Sequence, residues 1–583
     1  QSIMQDPILG WHVRLPQDIT CVLEPSQDGA TPVATVLAAT IGPACSSVAT
    51  LVEMLQAGMR IARFDLTYGD LATHVEAWHN LRKAVKQANK LCAVMVNPPG
   101  PDVRVLNRPN NPIKLTAGQV IHLSNDATVQ ASSTSLPVTW PGSVESSGII
   151  PGTDLFIGEY LCTDTTSAHL TVESVDPQQM TCTVHNTCTL EGLQFTVKVT
   201  AADGQHHFPC LGETDAQLLS QWVAATSVDS VEGVRASADF ICLPRTRSAE
   251  DVVAGRALLA SVGLGHCKVV AKLEEMEGMI AHKEILEAAD VIIFSRGTLG
   301  VCMEPEKVFV AQKMLLAAAN LAGKPVFVTR VVDSMTDAPR PTRAEATDMA
   351  NLVLDGADGV LLGNETFRGH HPVGTLQTVS SICRAAEEVF DNHAHYRVLM
   401  DVLENPFSRA QQMLDAEALA ASAVRVAHKM DAKLIVCFTV SGRTARLLAK
   451  YKPSQPILTV VCIDPTSAKF SVAKDRSSPA IGVAPVISEV KPLHVAQLSC
   501  WSHISQAKAA LVYRGTIPIM VDAPPGANSA QVLEAVLEYA KTIGLASAGD
   551  RVVVSQCPRT LPDNMPMNER GVISLVTVDE VLA

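Results

Sequence analysis

The motif Lys272-Leu273-Glu274, followed some twenty residues later by Ser295-Arg296-Gly297-Thr298-Leu299-Gly300, decides the fold of this chain. Each motif begins at the last residue of an apolar, strand-like run. The first run is Lys268 to Lys272, and the second is Val291 to Ser295. Charged and polar residues at the carboxyl ends of such strands are typical of the functional face of a (β/α) barrel. The two motifs therefore predict strands whose ends meet at one site.

Outward from these motifs, short apolar strands alternate with helical segments. The strands predicted by this rhythm span residues 33–41, 59–64, 239–243, 268–272, 291–295, 325–329 and 359–362. Such an alternation predicts a parallel sheet, and its number of units suits an α/β fold of the eight-stranded (β/α)8 TIM-barrel type. Arg63, Lys272, Arg296 and Thr329 all fall at predicted strand ends.

Two other regions depart from the barrel rhythm. Residues 105–207 contain short alternating strands rich in Thr, Val and Ser, which predicts an inserted β-barrel cap domain. Strands near 434–438, 457–462, 517–521 and 551–554 predict a separate C-terminal α/β domain. The predicted organisation is an N-terminal extension (1–30), a barrel (31–104 and 208–392), a cap (105–207) and a C-terminal domain (393–583) with an insertion near 468–498.

The composition limits the classes of partner. The 583 residues carry a formal net charge of -13, which argues against nucleic acid and against an anionic membrane surface. The longest apolar runs, such as Ile457 to Cys462, are far shorter than the roughly 20 residues of a membrane span. The 15 cysteines show no Cys-x-x-Cys spacing, which favours a reducing compartment. We expect a cytoplasmic protein; an organelle or the cytoskeleton remains an alternative.

Three segments close to the opening motifs extend the pattern to a known family. Residues Glu284 to Asp290, Glu306 to Met314 and Pro339 to Glu345 resemble pyruvate kinase almost residue for residue. The resemblance implies phosphoryl transfer from phosphoenolpyruvate to ADP, giving pyruvate and ATP in glycolysis. It also implies Mg²⁺ and K⁺ as cofactors and a homotetramer as the assembly.

The segment Ile61 to Gly69 resembles the family motif Val-Ala-Arg-Leu-Asn-Phe-Ser-His-Gly. In that motif the Arg contacts the phosphoryl group, and the Asn and Ser hold a monovalent cation. Arg63 is retained, whereas Asp65 replaces the Asn and Thr67 replaces the Ser. The resemblance therefore implies a catalytic and phosphate-binding role for Arg63 and a K⁺-binding role for Asp65 and Thr67.

The segment Val96 to Arg104 resembles Leu-Asp-Thr-Lys-Gly-Pro-Glu-Ile-Arg of the family. Asn97 replaces the cation-binding Asp, so that Asp65 and Asn97 look like an exchanged pair that keeps one carboxylate and one amide. Pro98 would supply the neighbouring backbone carbonyl, and Arg104 retains a second phosphate-facing Arg. The exchange is consistent with a pocket that holds K⁺, or alternatively with drift in a site no longer used.

The family's catalytic Lys corresponds to Lys272, and its first acidic Mg²⁺ ligand corresponds to Glu274. Thr329 retains the Thr that the family places near the enolate for proton delivery. The serious departure is Thr298, which stands where the family has the Asp that binds the catalytic divalent ion. A Thr hydroxyl can complete a coordination sphere but supplies no charge, whereas Mg²⁺ is usually held by one or two carboxylates. The Mg²⁺ position at Thr298 is therefore degenerate.

In the C-terminal domain, Phe438 to Thr444 places hydroxyl residues between a strand and a helix, an arrangement that suits a phosphate. It resembles the family's loop for a sugar-bisphosphate effector, which makes Thr439, Ser441 and Thr444 candidate effector-binding residues. Helix capping by the same hydroxyls is the alternative.

Two hypotheses follow. In the first, the chain is an unusual pyruvate kinase in which turnover is weak. In the second, it is a catalytically inactive relative that serves as a scaffold subunit in a larger metabolic or cytoskeletal assembly. The retained Arg63, Lys272 and Glu274 favour ligand binding, whereas Thr298 favours loss of turnover.

Overall fold

The fold is described from a computed structural model. It covers residues 32–101, 103–107, 111–126, 128–139, 149–158, 167–190, 194–200, 209–227, 237–404, 413–439, 441–462, 501–521, 529–556 and 572–582. The predicted N-terminal extension (1–30) and the predicted insertion (468–498) lie outside these ranges.

The strands, in chain order, are β1 Val36–Thr40, β2 Met59–Asp65, β3 Ala93–Asn97, β4 Val103–Leu106, β5 Ile113–Leu115, β6 Val120–Ser124, β7 Ser135–Thr139, β8 Asp154–Ile157, β9 Ala168–Val175, β10 Gln179–Val184, β11 Cys188–Leu190, β12 Gln194–Thr200, β13 Phe240–Leu243, β14 Lys268–Leu273, β15 Val291–Phe294, β16 Val326–Thr329, β17 Gly359–Leu362, β18 Leu434–Thr439, β19 Ile457–Cys462, β20 Thr516–Val521, β21 Arg551–Gln556 and β22 Val572–Thr577.

The helices are α1 Val48–Gln56, α2 Leu71–Ala88, α3 Glu213–Thr226, α4 Ala249–Ser261, α5 Met276–Ile280, α6 His282–Ala288, α7 Arg296–Cys302, α8 Pro305–Ala322, α9 Arg343–Leu354, α10 Asn364–Phe367, α11 Pro372–Val389, α12 Asn392–Leu403, α13 Asp415–Lys429, α14 Arg443–Lys450, α15 Trp501–Ala510, α16 Ser529–Thr542 and α17 Val578–Leu582. Within the described part of the chain, no helix has the length and apolarity that crossing a bilayer would require.

The predicted (β/α)8 barrel is confirmed. Eight parallel strands close in the order β1-β17-β16-β15-β14-β13-β3-β2. Side chains on one face of these strands, among them Val36, Ile61 and Phe327, fill the interior of the barrel, and those on the other face pack against the helices. The alternation of strands and helices in the sequence predicted seven of these eight strands. It missed β3, whose residues run directly into the loop that begins at Pro98.

Local sequence signals fix the starts of several barrel helices. At α9 the Thr342 hydroxyl accepts a hydrogen bond from the Glu345 N–H, and the Glu345 carboxylate accepts one from the Thr342 N–H. Ser248 and Asp251 form the same reciprocal arrangement at α4. Such capping boxes satisfy N–H groups that have no partner inside the helix.

The cap is a second closed barrel, with strand order β10-β6-β7-β4-β12-β8-β9. Alternate residues of its strands, such as Leu155, Leu170 and Val184, are fully buried and form its core. The neighbouring residues therefore face outward, as the period of two in a strand requires. The predicted cap architecture is confirmed in these strands.

The C-terminal region forms a five-stranded sheet in the order β20-β19-β18-β21-β22, in which only β22 is antiparallel to its neighbour. The segment that joins α15 to β20 extends into the floor of the TIM barrel. Leu511 and Val512 pack among the side chains of the barrel interior. Two hydrogen bonds hold this segment and the start of β20 in place. Gly515 N–H donates to Ala34 O at 2.9 Å, and the Arg60 side chain donates from Nη2 to Thr516 O at 2.6 Å.

A buried ion pair links the C-terminal region to the wall of the barrel. Lys452 Nζ lies 3.1 Å from Asp358 Oδ1 and 2.6 Å from Gly356 O. Burial lowers the pKa of the Lys452 ammonium to about 8, although Asp358 opposes that shift. Asp358 also accepts a hydrogen bond from Val326 N–H at 3.0 Å, at the start of β16.

We predict that Lys452→Ala lowers the free energy of unfolding by about 3–5 kcal/mol, because it leaves the buried Asp358 carboxylate without its cation. Urea unfolding followed by tryptophan fluorescence measures the change. Lys433→Ala is the matched control, since Lys433 is more than half exposed and pairs with the exposed Asp431. Its effect should stay within about 0.5 kcal/mol. Equal losses in the two variants would show that the buried pair does not stabilise this junction.

Candidate active site

Two largely buried cationic side chains lie at the carboxyl end of the barrel, each beside a carboxylate that follows it by two residues in the chain. Arg63, on β2, places Nη2 2.6 Å from Asp65 Oδ2 and donates from Nη1 to Thr40 Oγ1 at 3.1 Å. Burial opposes the charge of Asp65, yet Arg63 and Lys272 together hold the pKa of its carboxyl below the ordinary value. Asp65 is therefore an anion that balances two cations.

The Asp65 carboxylate also connects β2 to β3. Asp65 and Asn97 are paired in the parallel register, and Asn97 Nδ2 donates to Asp65 Oδ1 at 2.9 Å. The Thr67 N–H donates to the same oxygen at 3.2 Å. Asn97 Oδ1 is buried and has no hydrogen-bond partner among the described residues. The predicted exchanged pair is thus in direct contact, with one oxygen acceptor left over.

Pro98 and Arg104 lie on the same side of the barrel mouth. Pro98 is buried, and its carbonyl accepts a second, longer contact from Asn97 Nδ2 at 3.3 Å. Arg104 begins the excursion of the chain into the cap, and its Nη1 donates to Thr67 O at 3.1 Å. The structure thus brings together all of the residues that the sequence analysis assigned to the K⁺ pocket.

The second ion pair joins Lys272, on β14, to Glu274. Lys272 Nζ lies 3.1 Å from Glu274 Oε1, and both side chains are largely buried. Burial opposes the charge of Lys272, but Glu274 and Asp65 outweigh it, and the pKa of the ammonium lies above its ordinary value. Glu274 Oε2 accepts a hydrogen bond from the Arg245 N–H at 2.9 Å. Arg245 has a positive φ of 51°, a conformation that directs this N–H toward the site.

Thr298 lies in the first turn of α7 and is 5% exposed. Its hydroxyl is 3.5 Å from Ser295 Oγ, which is in turn 3.5 Å from Glu274 Oε1. Glu274, Ser295 and Thr298 therefore form a row of oxygen atoms with a single carboxylate at one end. Ser295 belongs to the motif Ser295 to Gly300, but it was not predicted as a member of the site, because a Ser at a strand end commonly starts a helix.

Thr329 ends β16 beside this row. Its hydroxyl lies 3.5 Å from Phe294 O, and its carbonyl accepts a hydrogen bond from Arg296 Nε at 3.0 Å. Arg296 also pairs with Asp348 at 2.7 Å. The Arg296 guanidinium therefore ties the start of α7 to the end of β16. Thr329 contributes its hydroxyl at this strand end.

Glu365 is a further buried carboxyl that the sequence analysis did not include among the site residues. It is 1% exposed, and Oε2 accepts a hydrogen bond from Gly363 N–H at 2.7 Å. The hydroxyl of the next residue, Thr366, donates to the Thr40 carbonyl. The Thr40 hydroxyl accepts a hydrogen bond from Arg63 Nη1. Burial, with a contribution from Asp333, raises the pKa of Glu365 to about 7.

The raised pKa makes stability depend on pH, because the folded state binds the Glu365 proton more tightly than the unfolded state does. This contribution is fully present below about pH 4.5 and is lost as the pH rises through about 7. We predict that the difference in unfolding free energy, wild type minus Glu365→Gln, falls by about 3 kcal/mol between pH 4 and pH 8. Urea titrations of both proteins at a series of pH values measure it, and a pH-independent difference would contradict the assignment.

The predicted effector residues lie together at the carboxyl end of β18. Thr439 is buried, and its hydroxyl accepts a hydrogen bond from Gly442 N–H at 3.0 Å. Gly442 has a φ of 77° and precedes α14, where Thr444 sits in the first turn, whereas Ser441 is exposed. The Thr439 hydroxyl is therefore used to hold the turn, and the exposed Ser441 hydroxyl is available to solvent.

The paired cations and carboxylates thus lie at the carboxyl ends of the barrel strands, the face where the active sites of (β/α)8 barrels are found. Two family models match the chain: the barrel domain of pyruvate kinase over residues 33–376 and its alpha/beta domain over residues 417–561. The chain belongs to the pyruvate kinase family, as the sequence motifs indicated.

Individual relatives agree with this assignment. Cytosolic pyruvate kinase 2 of Oryza sativa is 37% identical over 577 residues, which cover 97% of this chain and 98% of that protein. A cytosolic pyruvate kinase isozyme of Solanum tuberosum is 35% identical over 531 residues, covering 89% and 92%. Among solved structures, Cryptosporidium parvum pyruvate kinase has a TM-score of 0.76 at 27% identity, covering 96% of this chain and 100% of that chain.

Proposed function

We propose that this chain transfers the phosphoryl group of phosphoenolpyruvate to ADP, giving pyruvate and ATP, with a turnover well below that of a pyruvate kinase with a complete metal site. The observation that carries the proposal is the pair of buried cations, Arg63 and Lys272, each held by a carboxylate at the barrel mouth. Phosphoryl transfer needs positioning and charge neutralisation more than covalent help, and this arrangement supplies both. A structure of the Cryptosporidium parvum enzyme in complex with ADP, with a TM-score of 0.74 at 26% identity, covers 96% of this chain and 98% of that chain.

In this proposal Arg63 and Arg104 bind phosphate oxygens, and the Lys272 ammonium neutralises the transferring group and the developing enolate. The ion pairs with Asp65 and Glu274 fix the two cations before substrate arrives. Thr329, at the end of β16, lies near the path of the proton that the enolate accepts. In this proposal these groups need little reorganisation when the substrate binds.

The donor set fits Mg²⁺, although with less negative charge than usual. Glu274 supplies one carboxylate, and Ser295 and Thr298 supply hydroxyl oxygens on the same side. Mg²⁺ is commonly held by one or two carboxylates together with substrate phosphates and water. When bound, the ion would neutralise charge on the phosphoryl oxygens.

The pocket of Asp65, Thr67, Asn97 and Pro98 fits K⁺. The support for this is Asn97 Oδ1, a buried acceptor without a partner among the described residues, next to the Asp65 carboxylate and the Pro98 carbonyl. A buried acceptor left without a partner is costly, and a cation would satisfy it. K⁺ would add positive charge to the phosphate-binding side of the mouth.

Thr298 is the reason for proposing weak turnover. A hydroxyl replaces a carboxylate, so the ion is held less tightly and less charge is placed on the transferring group. Glu274 is at the same time shared with Lys272, 3.1 Å away. Loss of one preorganised electrostatic contact of this kind typically costs about 10²–10³ in rate.

We predict that Thr298→Asp raises the rate of pyruvate formation at least about tenfold and tightens Mn²⁺ binding, because it restores the second carboxylate. A coupled assay and Mn²⁺ calorimetry measure the two effects. Thr298→Asn is the matched control, having nearly the same shape as the Asp variant without its charge. An unchanged Mn²⁺ titration in Thr298→Asp would show that this position does not face the metal.

A second prediction addresses the K⁺ pocket. K⁺ should raise the unfolding free energy relative to tetramethylammonium at equal ionic strength, by about 1.4 kcal/mol when its concentration is ten times Kd. Thermal melting in the two salts measures this difference. Asp65→Asn should abolish it, whereas the double exchange Asp65→Asn with Asn97→Asp, which keeps one carboxylate and one amide, should retain it. Identical wild-type melting curves in both salts would indicate that the pocket no longer binds K⁺ and that its residues have changed by sequence drift.

The second candidate function is that of an inactive scaffold subunit, which Thr298 specifically favours.

A homo-oligomer, by family resemblance a tetramer, is proposed for either function. Its support is the exposed apolar face of α8, where Phe309, Val310 and Met314 are 44–59% exposed. Contiguous exposed apolar residues mark interaction surfaces in many proteins. If neither wild type nor Thr298→Asp forms pyruvate, the scaffold function is the one that remains.

Regulation and location complete the proposal. Thr439, Ser441 and Thr444 stay candidate effector residues, with helix capping as the alternative that the hydrogen bond from Gly442 N–H to the Thr439 hydroxyl favours. A cytoplasmic location is proposed because the relatives from Oryza sativa and Solanum tuberosum are cytosolic by name.

A further inference from the structure

The outer surface of the cap carries a cluster of side chains with metal-ligand chemistry, remote in sequence from the barrel motifs. Three neighbouring strands contribute to it: β8 with Asp154, β9 with His169, and the end of β10 with His185. In the register, Asp154 lies opposite Thr171, and the His185 N–H donates to His169 O at 2.8 Å. Three residues of different strands are therefore adjacent on one face.

The ligand atoms of Asp154, His169 and His185 all lie within 4.8 Å of one another. His169 Nε2 is 3.5 Å from Asp154 Oδ1, and the two imidazole rings are 4.7 Å apart between centroids. Thr171 lies between the other two groups: its hydroxyl hydrogen-bonds Asp154 Oδ1 and lies 2.6 Å from His185 Nε2.

His169 is held in a fixed orientation by its surroundings. Its ring stacks on Phe156 at 4.6 Å with an interplanar angle of 4°, and the backbone N–H of His169 donates to Asn186 Oδ1 at 2.8 Å. His169 Nε2 is shielded from solvent, and among the described residues it has no hydrogen-bond partner. A ring nitrogen that is oriented toward a carboxylate but makes no hydrogen bond is what a metal ion would satisfy.

We propose that Asp154, His169 and His185 bind a divalent ion of the zinc class, with water or the Thr171 hydroxyl in the fourth position. Zn²⁺ takes imidazole nitrogen and carboxylate oxygen at about 2.0–2.2 Å, so tetrahedral ligand atoms stand roughly 3.3–3.6 Å apart. The separation of His169 Nε2 and Asp154 Oδ1 already matches. His185 reaches the ion by exchanging its contact with Thr171 for a coordination bond.

This site differs from the barrel mouth in the ion that it selects. Mg²⁺ and K⁺ are hard ions that prefer oxygen ligands, whereas two imidazoles favour Zn²⁺, Co²⁺, Ni²⁺ or Cu²⁺. Because the three ligands come from three strands, the ion cross-links β8, β9 and β10 and stabilises the folded cap.

The test uses the full chain and Zn²⁺ itself, with Mg²⁺ present in excess to occupy the barrel mouth. Competition with a chromogenic chelator counts the bound Zn²⁺. Wild type should hold one equivalent more than the double variant His169→Ala with His185→Ala. The matched control is His122→Asn, which alters another cap histidine whose contact is with Thr181. Co²⁺ in place of Zn²⁺ should give the visible absorption of a tetrahedral site in wild type and in the control, but not in the double variant.

Two results would overturn the proposal: equal Zn²⁺ uptake by wild type and the double variant, or an equal loss in His122→Asn. Asp154→Asn guards against a variant that fails to fold, because it keeps the shape of the side chain and removes the charge. It should weaken Zn²⁺ binding at least about tenfold while leaving the metal-free melting temperature within a few degrees of wild type. Unchanged affinity in a folded Asp154→Asn protein would also overturn the proposal.

Discussion

The need to hold two positive charges at the mouth of a barrel governs the organisation of this molecule. Arg63 and Lys272 are both buried, and an unpaired buried charge is strongly destabilising. Asp65 therefore stands two residues after Arg63 on β2, where the period of two brings both side chains to one face, and Glu274 follows Lys272 by two residues, directly after the end of β14. The second oxygen of each carboxylate is satisfied from a neighbouring segment, by Asn97 and by the Arg245 N–H. The charges that a phosphate would meet are thus fixed by the architecture of the strand ends.

Thr298 alters the electrostatic balance of this site without altering its shape. The barrel strands, the row from Glu274 through Ser295 and the two cation pairs are in place, and the Thr298 position contributes a hydroxyl without a charge. A protein can therefore retain affinity for the substrate anion, which the cations provide, while losing the field that lowers the barrier. Under the proposed function, the loss of charge at Thr298 affects the barrier more than it affects attraction of the substrate anion, which is why weak catalysis and scaffolding are the two candidate functions.

The sequence predicted those features that depend on local pattern or on contiguous motifs. Strand and helix periodicity gave most of the barrel, and the motifs around Arg63 and Asn97 predicted that Asp65 and Asn97 would meet. It missed the strand β3, although the shorter strands β13, β15, β16 and β17 were predicted, and it missed Glu365, whose raised pKa arises from burial that no local pattern reveals. The cluster of Asp154, His169 and His185 escaped notice because its members are up to 31 residues apart and meet only through the register of three strands. Features that depend on which strands are neighbours required the structure.

The segment that seals the barrel floor has a consequence for how the protein is made. Leu511 and Val512 complete a core whose other members begin at Val36, and Arg60 meets Thr516 across a sequence separation of 456 residues. A ribosome delivers the chain from its amino end, so the eight strands emerge long before the residues that close their lower opening. During that interval the apolar interior is open to water and to other nascent chains, a state in which large proteins are prone to misassembly. The barrel is therefore completed late in translation, and its maturation is timed by the arrival of the C-terminal domain.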